Sequence, residues 1–149
     1  MKFLNTIFVL FLAIGGTSYA FAQGANTKNH KIWRVSEAYV VLVKEKAKTK
    51  GNLYETEQMF GAQTTQVKAA ALRLALLNRE LKKLSRTNAR SAVKFSAAYG
   101  DLLLTKIQYE VELYELRQKF TPESIVVKKK EIQLASLNGD LRQISKGFH

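Results

Sequence analysis

Few residues in this chain are of types that do chemistry, and their spacing works against it. The densest acidic group is Asp101 with Glu110, Glu112 and Glu115. A di-iron centre in a helical bundle needs such carboxylates together with Glu-x-x-His pairs, and no such pair occurs: the two histidines, His30 and His149, stand far from the glutamates and from each other. Glu110 and Glu112 are two apart, so on a helix they diverge, which suits carboxylates that offset nearby lysines. The absence of cysteine excludes a disulfide framework, a thiolate zinc site, an iron–sulfur cluster, c-type haem attachment and a cysteine nucleophile. No Gly-x-Ser-x-Gly elbow, Walker-type loop or Gly-x-Gly-x-x-Gly turn is present, and the serines have no histidine base within a regular element. The expectation is a non-enzymatic protein without a cofactor.

The cations are more suggestive. Lysine and arginine number 24 against 12 aspartates and glutamates, a net charge of +12. Arg79, Lys82, Lys83 and Arg86 recur at intervals of three and four and share a helix face, with Arg90 just beyond, so they form the candidate anion-binding patch. Lys44, Lys46, Lys48 and Lys50 alternate and therefore spread around a helix, and Lys128, Lys129 and Lys130 form a third group. A patch of this kind binds polyanions (envelope polysaccharide, lipopolysaccharide, anionic lipid or extracellular DNA) through salt-sensitive counterion release. Without a base-reading motif, sequence-specific nucleic-acid recognition is not expected.

The elements that carry these groups begin after an address. Met1-Lys2, the apolar run from Phe3 to Ile14 and the small-x-small ending Ala20-Phe21-Ala22 predict a secretory signal peptide over residues 1–22, with Ala20 and Ala22 at the small-residue positions and cleavage after Ala22. The run is too short for a span of roughly 20 residues, and no later stretch is apolar enough, so no transmembrane segment is expected in the mature chain. The short cationic start reads as bacterial, with an exported, periplasmic or extracellular product. Residues 23–35 read as a flexible basic arm, and residues 36–149 as the folded domain.

That domain contains an internal repeat. A shift of 60 residues aligns Ser36, Tyr39 and Leu42 with Ser96, Tyr99 and Leu102, Leu53-Tyr54-Glu55 with Leu113-Tyr114-Glu115, Phe60 with Phe120, Val67-Lys68 with Val127-Lys128, and Leu77-Asn78 with Leu137-Asn138. Each unit reads as two helices. Val67, Leu74 and Leu81 alternate with Ala70, Leu77 and Leu84 at helical spacing, and Val127, Leu134 and Leu141 repeat the pattern, with Lys130 interrupting it. The first arms carry an aromatic-rich stripe, Phe95, Tyr99, Leu102, Tyr109, Leu113, Leu116 and Phe120, echoed by Val35, Tyr39, Leu42, Leu53 and Phe60. Such stripes must be buried. The turns lie at Phe60-Gly61, where glycine can take a left-handed stop conformation, and at Phe120-Thr121-Pro122, where Thr121 is the expected cap and Pro122 the first helical residue. Helices are therefore expected over Ser36 to Phe60, Gln63 to Leu84, Ser91 to Lys119 and Pro122 to Ser145. The segment from Lys48 to Asn52 is a weak point where a kink or break is as much expected as continuity. Hairpin one spans 36–84, a polar connector 85–91, hairpin two 92–145 and a tail 146–149. The fold class is all-α: two tandem antiparallel hairpins, packed as a four-helix bundle or kept apart as elongated coiled coils.

Leu116-Arg117-Gln118-Lys119-Phe120-Thr121-Pro122-Glu123-Ser124-Ile125-Val126-Val127, followed by Ile132, Leu134, Leu137 and Leu141, resembles the hairpin tip in the periplasmic coiled coils of bacterial polysaccharide chain-length determinant and export proteins. Ser124 and Ile125 stand where that family tends to have His-Pro, and its flanking membrane spans and kinase domain have no counterpart in this sequence. The resemblance implies a periplasmic coiled-coil hairpin. Duplicated apolar stripes without catalytic groups point first to a protein-interaction, scaffold or holdase-like module with a protein partner or self-association, and the basic face points second to polyanion binding.

Overall fold

The computed structural model of the chain describes residues 36–87 and 94–147. They form four helices, α1 (Glu37–Phe60), α2 (Thr65–Arg86), α3 (Ala97–Lys119) and α4 (Ile125–Lys146), and the fold is all-α: two tandem helical hairpins, α1 with α2 and α3 with α4. Ala20, Ala22, the basic arm, Arg90 and His149 lie outside the described residues.

The repeat is visible in the helix starts. Ser36 Oγ accepts the Tyr39 N–H at 3.2 Å, and its counterpart Ser96 accepts the Tyr99 N–H at 3.3 Å, so both first arms open on the same serine cap. The third helix therefore starts at Ala97 and not at Ser91, because Ser96 supplies the acceptor. Thr64 caps α2 by accepting the Val67 N–H at 3.4 Å, two residues later than the expected start at Gln63. At the second tip Thr121 does not cap and Pro122 is not the first helical residue. Both lie in the turn, and α4 opens after Ser124, which makes no side-chain cap bond. Gly61 ends α1 with φ 77° and donates its N–H to the Glu57 carbonyl, while Phe120 ends α3 in extended backbone without needing glycine. α1 runs unbroken through Lys48 to Asn52, and Thr49 within that segment is buried.

The hairpins pack on each other, and α3 is the central helix, touching α1, α2 and α4. Leu42, Leu77 and Ile107 are fully buried in the shared core with Leu76, Leu81, Leu84, Leu103 and Val111, each large side chain contributing about 1.5–3 kcal/mol by leaving water. α3 buries residues on several faces, whereas α4 packs chiefly on α3 and buries only Val127 and Leu141. The expected tip aromatics, Phe60 and Phe120, are exposed rather than part of the buried stripe.

α1 and α3 run parallel with their N-termini side by side. The Ala38 N–H donates to the Phe95 carbonyl at 3.2 Å, and the Ala97 N–H donates to Glu37 Oε2 at 2.9 Å. Further along, Arg73 of α2 donates to Glu45 of α1 at 2.8 Å and to Gln108 of α3, so the two helices keep step. Close approach at the start requires Gly100, where an added Cβ would stand 2.9 Å from the Ala38 Cα. A two-fold relation between the halves would seat α4 on α1 as α2 sits on α3. α4 does not pack there, so the second hairpin stacks on the first by translation, as successive units of a helical repeat protein do.

Candidate functional site

Of the candidate anion-binding cations among the described residues, two on α2, Arg79 and Lys83, are claimed by carboxylates. Arg79 donates to both oxygens of Glu110 at 2.8 Å and lies 3.3 Å from Glu80, while Lys83 lies 3.1 Å from Glu80. Lys82 and Arg86 are exposed and make no ion pair with a described residue. The centre of this network is Glu80, which also accepts from Lys106 at 2.9 Å. Burial by itself would push the Glu80 carboxyl up, but hydrogen bonds and charge from Lys106 and Lys83 outweigh it and hold the group below its ordinary range. Burial, and then the Glu80 charge, push the Tyr99 phenol up.

Glu80 and Lys106 were missed as a pair by sequence reasoning, yet each left a signal. Glu80 stands three after Leu77 and four before Leu84, on the apolar stripe of α2, and Lys106 sits between Leu103 and Tyr109 on α3. A charge at a core-facing position asks for a partner.

Two members of the acidic group, Glu110 and Glu112, are paired with cations. Glu110 faces Arg79, and Glu112 binds Lys130 at 2.6 Å. Lys130, which interrupts the α4 stripe, also lies 4.2 Å from the Tyr109 ring centroid. The Lys130 hydrogen bond, set against burial and helped by the Gln108 amide, keeps the Glu112 carboxyl below its ordinary range. Among the described residues no three or more His, Asp or Glu side chains gather as a metal site, and no helix is long and apolar enough to cross a membrane.

Among the described residues apolar surface stays open at several places, including Val40 and Val43 of α1. At the hairpin tips Phe60 is 52% exposed, Phe120 47% and Ile125 82%, and Met59 is also exposed. Between α3 and α4 lies an open cleft of about 390 Å³ bordered by Thr105, Tyr109, Ile132, Ser136, Leu137 and Asp140. Of the tyrosines among the described residues, Tyr39, Tyr99 and Tyr114 lie against the core, Tyr109 lines this cleft, and Tyr54 is exposed. Compared with known proteins, the chain matches no family model, no curated protein and no solved structure.

Proposed function

We propose that this chain is an exported, periplasmic or extracellular, non-enzymatic interaction protein, a scaffold or holdase-like helical-hairpin module. The observation that carries this reading is the exposure of Phe60, Phe120, Ile125 and Met59 at and beside the two hairpin turns. Large apolar side chains held in water on the ends of well-packed hairpins cost stability and are repaid by contact with another apolar surface. The parallel course of α1 and α3 sends both turns toward one end of the helical domain. The test is suppression of light scattering by a reduced, aggregating model protein such as insulin. The wild type is expected to suppress it and the Phe60→Ser, Phe120→Ser double variant, with unchanged helicity, to lose the effect. Equal suppression by both proteins would overturn the reading.

Polyanion binding is the second reading, favoured by exposed Lys82 and Arg86 on the last turns of α2. It has less support than the sequence alone gave it, since Arg79 and Lys83 are engaged with Glu110 and Glu80. Binding to a labelled anionic polymer that falls steeply with salt, and is lost in Lys82→Glu, Arg86→Glu, is its expected signature. Binding that persists in that variant would place the contact elsewhere.

A further inference from the structure

The open cleft of hairpin two is the repeat counterpart of the groove in hairpin one that holds α3. Sixty residues before Tyr109, Leu137 and Asp140 stand Thr49, Leu77 and Glu80, all buried where α3 lies against α1 and α2. The element seated in the first groove has a counterpart as well. The α3 positions packed toward hairpin one, Gly100, Leu103, Ile107 and Val111, correspond to Val40, Val43, Ala47 and Gly51 on α1, and every one of these is exposed. Among the described residues there is thus one occupied groove–helix interface and, on α1 and at the α3–α4 cleft, the unoccupied halves of a second.

We propose that α1 of a second copy occupies the α3–α4 cleft, so that chains stack head to tail in continuation of the internal repeat. Charge selects this occupant. Lys106 of α3 meets Glu80 in the first groove, and the equivalent residues are Lys46 on α1 and Asp140 in the cleft, again a cation facing an acid. Where Arg79 meets Glu110, the copies bring Gly139 and Lys50 together, which introduces no like-charge pair. Ser136 replaces the buried Leu76, and Val40 replaces Gly100, so the intermolecular contact is less apolar and wider at one end than its template. Association is accordingly weak and reversible. The contact joins different surfaces of each copy, so it propagates into open chains unless the rotation closes a ring. This inference extends the interaction reading to a different surface from the tips.

Sedimentation velocity of the purified chain over increasing concentration is expected to show a rising average mass. Asp140→Lys and Lys46→Glu each hold the protein at monomer mass, and the double variant, which restores an opposite-charge pair between copies, regains the concentration dependence. Because the chain has no cysteine, oxidising a mixture of Lys46→Cys and Asp140→Cys chains is an independent readout: a 46–140 cross-link is expected in excess over 46–46 and 140–140 links. Monomer mass at all concentrations, or cross-links that are chiefly homotypic, would overturn the proposal. Aggregation suppression through Phe60 and Phe120 can survive that outcome, which separates failure of the stacking from failure of the interaction reading.

Discussion

Glu80 and Lys106 meet at 2.9 Å across the α2–α3 seam with their side chains only 4% and 11% exposed. Two ions held this far from water cost desolvation, and their attraction offsets that cost only while both are present. Glu80 spreads its charge over Lys106, Lys83 and Arg79, so it is the member whose loss strands the others. Glu80→Leu is expected to cost about 3 kcal/mol by leaving the Lys106 ammonium buried against apolar neighbours. The double variant Glu80→Leu, Lys106→Met is expected to recover most of that loss. A urea-unfolding double-mutant cycle measures the coupling, and additive effects of the two single changes would show that the pair has no mutual dependence.

Acid should loosen the same seam. Glu80 and Glu112 both have carboxyl groups held below the ordinary range in the fold, so each contributes stability that is complete above the unfolded value and declines as pH falls through the lower folded value. The thermal midpoint is expected to be level from neutral pH to about 5 and to fall below about pH 4, where carboxylates of the unfolded chain take up protons first. Glu80→Gln should flatten that decline. A decline of unchanged steepness in the variant would place the acid sensitivity at other carboxylates.

The repeat carried much of the fold into the sequence, because a duplicated helix cap and a duplicated stripe satisfy the same local rules twice. Ser36 and Ser96, Tyr39 and Tyr99, and Val67 and Val127 mark equivalent turns of equivalent helices. Helix starts are where local signals compete. Ser91 offered as good a cap as Ser96, although the 60-residue register already set Ser96 opposite Ser36. Thr121-Pro122 has the chemistry of a helix start, yet α4 begins after Ser124, matching the position of Thr64 at the other turn. What local pattern could not reveal is which helix lies beside which. Arg79 and Lys83 read as a free basic face in the sequence, whereas in the fold Arg79 is engaged by Glu110 of α3 and Lys83 by Glu80 of its own helix. The asymmetry between a full groove in hairpin one and an open one in hairpin two is likewise tertiary, since both hairpins share one stripe pattern.

The junction of the two N-termini provides a smaller test. The Ala97 N–H of α3 is bound by the Glu37 carboxylate of α1 at 2.9 Å, where two helix dipoles bring their positive ends together. Glu37→Gln keeps an acceptor but removes the charge, and is expected to lower stability by about 0.5–1 kcal/mol. Glu57→Gln, near the opposite end of α1, removes the same charge where the dipole is negative and should be neutral or slightly stabilising. Equal losses in chemical denaturation would mean that net charge and not the cap is being measured.

Gly100 and Gly139 offer a contrast that tests the packing of the hairpins directly. Both lie inside helices, where glycine costs about 0.5–1 kcal/mol relative to alanine. At Gly139 nothing lies within 4 Å of an added Cβ, so Gly139→Ala is expected to raise stability by about that amount. At Gly100 the new Cβ would stand 2.9 Å from the Ala38 Cα and 3.1 Å from the Val41 Cβ, and backbone cannot give way as a flexible side chain can. Gly100→Val, which installs the residue that α1 carries at the equivalent Val40, should cost about 2 kcal/mol through overpacking. It should also weaken the bond from the Ala38 N–H to the Phe95 carbonyl, seen as faster amide exchange at Ala38 than in the wild type. If Gly100→Val is as stable as Gly139→Ala, α1 and α3 do not approach at this point, and the translational stacking of the hairpins falls with it.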